Sequence, residues 1–112
     1  MTPFWTTTIY YVLLLVTFSS IYTIVHEEAH KAINTQYRID SEIVYNPLYL
    51  GGYTKATNLT SWKQYEQTIP YHLQNEIVGY NVFTVVLAVL SGVYLIIVYM
   101  ELRRIADAAG IS

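Results

Sequence analysis

The sequence contains no cysteine, so no disulfide can brace it and no thiolate can bind a metal; any metal must be held by histidine, carboxylate, amide or water. Charge is scarce as well. Asp, Glu, Lys and Arg make up 12% of the 112 residues, against ~25% in an ordinary soluble domain, while hydrophobic residues reach 54%. The few basic residues form no cluster and the net charge is −2, which excludes the electrostatic footprint of a nucleic-acid-binding protein. A chain this short builds one domain at most, with a small core. Lipid as part of the solvent is the simplest account of such a composition.

What is present is arranged in two long uncharged runs, Phe4 to Val25 and Ile77 to Met100. As helices rising ~1.5 Å per residue, both are long enough to cross a hydrocarbon layer of ~30 Å. Thr2 and Pro3 read as the N-cap and first position of the first helix. A cleaved signal peptide is the rival for that run, but it lacks a basic leader and is followed by charged HEEAHK instead of a small-residue cleavage site. The second run ends in Glu101-Leu102-Arg103-Arg104, where long cationic side chains reach for the interface. Tyrosine is frequent, and Tyr10, Tyr11, Tyr22, Tyr80, Tyr94 and Tyr99 fall near the ends of the runs, at the level that amphipathic rings favour. Tyr94 lies deeper and needs a hydroxyl partner in protein. Asn81, Thr84, Ala88, Ser91 and Gly92 lie close to one helical face, a small and mildly polar stripe predicted to meet the first helix.

Between the runs, residues 39–58 are rich in β-branched and aromatic side chains and are punctuated by Asn46-Pro47 and Gly51-Gly52, which predicts a small β-hairpin. Ser61 and Gln64 have capping-box spacing and open a short interfacial helix over 61–75, which Pro70 interrupts or restarts. The predicted fold class is therefore a mainly α membrane protein: a single membrane domain of two transmembrane helices, 4–25 and 77–100, joined by a water-facing segment with a hairpin and a short helix. Arg103 and Arg104 predict cytoplasmic termini for this two-pass chain, with Lys31, Arg38, Lys55 and Lys63 of the middle segment pulling the other way.

The chemistry is concentrated at the end of the first run, in His26-Glu27-Glu28-Ala29-His30. Residues four apart share a helical face, so His26 and His30 can offer two imidazole nitrogens to one zinc ion, with Glu27 beside them. Zinc lowers the pKa of bound water, and Glu27 would act as general base when that hydroxide attacks a carbonyl. Thr23 and Ser19 continue the same face as a polar stripe running back into the apolar run. The plainer reading is a helix end decorated with solvated polar groups. Two histidines do not complete a catalytic zinc site, which takes three protein ligands and keeps one open position. Glu76 and His72, four apart on the approach to the second run, are the best candidates for the third; Asp40 and Glu42 are further candidates on the hairpin.

These residues together resemble the site-2 protease family of intramembrane zinc metallopeptidases. In that family a transmembrane helix ends in HExxH and is followed by an extended segment with a proline and a Gly-Gly turn; Asn46-Pro47-Leu48-Tyr49-Leu50-Gly51-Gly52 is similar to it. Asn75-Glu76-Ile77-Val78-Gly79-Tyr80-Asn81 is similar, more weakly, to the start of the next core helix. The resemblance implies zinc on His26 and His30, Glu27 as the group that activates water, and Gly51, Gly52 and Asn81 near an unfolded substrate segment. The sequence departs from the family in having Tyr80, not proline, after Gly79, and in ending before the third core helix that carries the family's Asp ligand.

Two functions follow as expectations. One is a minimal peptidase, its zinc site completed by Glu76 or His72 or by another subunit. The other is a non-catalytic accessory subunit of a larger membrane complex, such as a monooxygenase or respiratory assembly, in contact with other membrane subunits. A toxin- or holin-like protein fits the size but leaves the motif and the hairpin without a role.

Overall fold

The computed structural model describes residues 3–110. Helix α1 spans Pro3–Gln36, strand β1 Ser41–Tyr45, a single 3-10 turn Pro47–Tyr49, strand β2 Gly52–Ala56, helix α2 Trp62–Glu66 and helix α3 Ile69–Ala108. α1 and α3 are antiparallel and set the length of a molecule measuring 72 × 24 × 15 Å. Both are long and apolar enough to cross a membrane. The N-cap expected at Thr2 lies outside the described residues.

The two long helices meet along an aromatic seam. Tyr11 stacks on Tyr94 with ring centroids 4.2 Å apart, and Phe18 stacks on Phe83 at 5.5 Å. Two hydroxyls are satisfied across the same seam: Tyr94 bonds Thr8 at 3.1 Å and Tyr11 bonds Ser91 at 2.8 Å. This is the protein partner that Tyr94 required. The seam also corrects the expected contact stripe. Of that stripe Ser91 meets α1, whereas Asn81, Thr84 and Ala88 are exposed. Glu76, Gly79 and Phe83 define the facing side, and at about 100° per residue Asn81 lies on the opposite one. Large rings that interlock, and a glycine that admits them, outweigh small residues as the basis for this contact.

Away from the seam the helices hide little. Among the described residues Ile39 is the buried hydrophobic side chain, at 1% exposure, while residues such as Leu13, Val89 and Leu95 stand largely in the open. A core this small cannot offset the entropy of ordering the chain in water, so the apolar flanks of α1 and α3 require cover from outside.

α1 runs well past the apolar run and through the HEEAH segment, then stops in a Schellman motif. Ile39 N–H donates to Asn34 O at 2.9 Å and Arg38 N–H to Thr35 O at 3.0 Å, with Arg38 in the left-handed region at φ 58°. Ile39, the residue after the cap, tucks under the helix end. The chain then enters the hairpin, whose register pairs Ser41 with Ala56 and Tyr45 with Gly52. Asp40 and Asn58 close its base, Asn58 Oδ1 accepting from Asp40 N at 2.7 Å. The hairpin packs against α1. Thr54 bonds Glu27, and the Leu48 carbonyl at the tip accepts from Ser20 Oγ at 2.6 Å, so the hairpin lies along α1 with its tip beside the first apolar run.

The helix expected over 61–75 is divided. Ser61 Oγ accepts from Gln64 N–H and starts α2, which ends at Glu66. Thr68, fully buried, turns the chain and leads into α3, with Pro70 in its first turn. Proline lacks the N–H that a first turn leaves unpaired in any case, so it begins a helix here. His72 and Glu76 consequently ride on the long helix α3, rigidly joined to the second apolar run.

Candidate metal centre

α1 presents Tyr22, His26, His30 and Asn34 at successive four-residue steps, all on the side turned to α3. α3 answers with His72, Glu76 and Gly79. Gly79 permits the approach, because a Cβ there would stand 2.7 Å from Tyr22 Oη and 2.8 Å from His26 Nδ1. Asn75 Nδ2 donates to the His26 carbonyl at 3.2 Å, a further tie between the two helices.

The result is a three-atom convergence. His26 Nε2 lies 3.3 Å from His30 Nε2, and Glu76 Oε1 lies 2.9 Å from the first and 2.6 Å from the second. Nitrogen ligands at ~2.0–2.1 Å from a tetrahedral zinc stand about 3.3 Å from each other. The nitrogen–nitrogen separation matches that edge, and the two nitrogen–oxygen separations are those of charge-assisted hydrogen bonds. The same three atoms can therefore share a proton or a metal ion; the His26, His30 and Glu76 cluster could hold a metal. Both histidine side chains are nearly buried and Glu76 is about one-third exposed, so one side of the cluster remains open.

The other candidate residues take different places. His72 is not among the converging atoms: its Nδ1 lies 2.6 Å from His30 Nδ1, on the far side of that ring, and its Nε2 lies 2.9 Å from Asn34 Oδ1. Glu27 is buried, and its Oε2 accepts from Thr54 Oγ1 at 2.6 Å. Asp40 is engaged at the base of the hairpin and Glu42 points outward. Glu27, Gly51, Gly52 and the three converging residues line one cleft of about 960 Å³, bounded by α1, α3 and strand β2; Asn81 does not line it.

Burial opposes ionisation of Glu76, but hydrogen bonds from His30 and His26, with their charge, outweigh it and hold the carboxyl below its ordinary value. Burial lowers the His72 pKa, and the neighbouring His30 lowers it further against the pull of Glu76. The site thus favours an anionic Glu76 and a neutral His72, the forms suited to a metal centre and its support.

Compared with protein-family models, with curated proteins and with solved structures, the chain matches none.

Several residues of the site escape a reading of HExxH alone. Tyr22 and Asn34 lie four residues before His26 and four after His30, so extending the motif's own helical period finds both. Thr54 has no such signal, since only the path of the hairpin brings it to Glu27.

Proposed function

We propose that this protein is a zinc metallopeptidase of the site-2 protease kind, lodged in a lipid bilayer and cutting an extended segment of a membrane-associated substrate. The observation that carries the reading is the meeting of His26 Nε2, His30 Nε2 and Glu76 Oε1 in a cleft that also contains the Glu27 carboxyl. His26, His30 and Glu76 would hold the zinc, and Glu76 would stand where the family uses an Asp from a third helix. Zinc in such a site supplies Lewis acidity toward a water or carbonyl oxygen. Glu27 is the general base: Thr54 holds one carboxylate oxygen, and the other takes a proton from water and delivers it to the leaving amine. Strand β2, with Gly51 and Gly52, borders the cleft where an extended substrate would lie.

Purification of the full chain in mild detergent, with metal analysis and a cleavage assay on a transmembrane substrate, tests the reading. Zinc at one ion per chain, retained in Glu27→Gln while cleavage is lost, is the expected result. Absence of metal, or undiminished cleavage by Glu27→Gln, overturns it.

A second reading, an accessory subunit of a larger membrane complex, draws on a different observation. Asn81 is exposed on the side of α3 turned away from α1. Polar groups within an apolar helix usually face a partner. Co-purification with other membrane subunits in fixed ratio, without metal at His26 and His30, favours it.

A further inference from the structure

His72 and Asn34 belong to the site without touching the point where the ligand atoms converge. We propose that they are positioning residues, a hydrogen-bond relay that fixes His30 in the tautomer whose Nε2 lone pair faces the metal. The inference rests on the metal-centre reading above and concerns how the chain prepares that centre.

The direction of the relay follows from donor and acceptor chemistry. Asn34 Oδ1 can only accept, so His72 Nε2, 2.9 Å away, is the donor. A neutral imidazole carries a single N–H, which leaves His72 Nδ1 as an acceptor. Its partner at 2.6 Å is His30 Nδ1, which must then be the donor. With Nδ1 committed to His72, His30 turns Nε2 toward Glu76 Oε1 at 2.6 Å and His26 Nε2 at 3.3 Å, where that atom shares a proton with the carboxylate in metal-free protein and would present its lone pair to a metal that replaces the proton. The relay therefore leaves Nε2 as the ring atom that faces the convergence point, the position a metal would take from the shared proton. Metal-bound histidines commonly depend on a partner at the other ring nitrogen to set tautomer and ring orientation.

The relay is also held rigidly. Asn34 is 3% exposed, in the last turns of α1, and its backbone carbonyl is tied into the helix cap. The His72 ring stacks on Tyr65 of α2, with planes 20° apart, so rotation out of the relay is resisted. This gives α2 a function in the site: it returns an aromatic face onto the residue behind the ligand.

Nitrogen-15 NMR of the histidine rings in the full chain, with and without zinc, reads the tautomers directly. Metal-free protein should show His72 with its proton on Nε2, and zinc-loaded protein should show His30 bound through Nε2 and protonated on Nδ1. His72 protonated on Nδ1, or His30 bound through Nδ1, overturns the proposal. Zinc affinity by chelator competition supplies a second measurement. Asn34→Leu should weaken binding by roughly ten- to a hundredfold, as loss of an outer partner does, while Asn34→Asp, which keeps the acceptor, should restore it. Equal affinities for the Leu and Asp variants would show that Asn34 acts only by packing. If wild-type protein binds no zinc, the metal-centre reading fails, and the metal-free tautomer of His72 still decides whether the relay exists.

Discussion

The Glu76 carboxyl is the residue on which the centre turns, since it is the one ligand contributed by α3 and it bonds both histidines of α1. Its titration and that of His72 make a common prediction for metal-free protein. Glu76 lies below its ordinary value of 4.5, so the stability it contributes is present above that pH and is lost as pH falls through the lower folded value. His72 lies below 6.5, so the unfolded chain takes up a proton that the folded site resists, and stability declines as pH falls from about 6.5. Both act in the same direction. The temperature at which near-UV dichroism is lost should fall as pH drops from 7 to 3; His72→Phe should remove the part of that slope that begins near pH 6.5 and Glu76→Gln the part below 4.5. A flat profile for wild-type protein would show that the cluster does not link the helices.

At the scale of elements, the close approach of α1 and α3 depends on Gly79, and the end of α1 depends on an unfavourable residue at its cap. Gly79→Ala would drive a methyl group to within 3 Å of both Tyr22 and His26. The expected cost is ~1–3 kcal/mol of stability, with zinc affinity lost at the same time because His26 is displaced; denaturant titration and chelator competition measure the two effects. Arg38 at φ 58° occupies a position that favours glycine. Arg38→Gly should stabilise the chain by about 0.5–1 kcal/mol, the relief of left-handed strain less the added freedom of the unfolded chain. Slower amide hydrogen exchange over residues 30–36 would report it. That position could not be found in the sequence, where no glycine marks the stop of α1 and the Schellman motif appears only in the backbone. The hairpin was legible from Asn46-Pro47 and Gly51-Gly52, but its lie along α1 was not, because Ser20 and Thr54 carry no pattern that pairs them with Leu48 and Glu27.

For the whole molecule, two apolar helices with exposed flanks and a polar cluster at one end divide the chain into zones. In a lipid nanodisc, the mid-run positions Leu13 and Val89 should lie in hydrocarbon and Glu66 in water. The absence of native cysteine makes single-site spin labelling direct. Labels at Leu13→Cys and Val89→Cys should collide more with oxygen than with a water-soluble nickel chelate, and a label at Glu66→Cys the reverse. Water-like behaviour at the mid-run positions would mean that another protein, not lipid, covers these helices.

The sequence by itself determined the two apolar helices, the hairpin between them and the pair of histidines on one helical face. These are local properties: run length, turn residues and a four-residue period are each written within a short stretch of chain. The tertiary structure alone decided which face of α3 meets α1, that Glu76 joins the histidines while His72 stands behind them, and that Thr54 reaches Glu27. Those outcomes depend on side chains dozens of residues apart packing against each other, and rings interlocking with a glycine set the register in which the ligands meet.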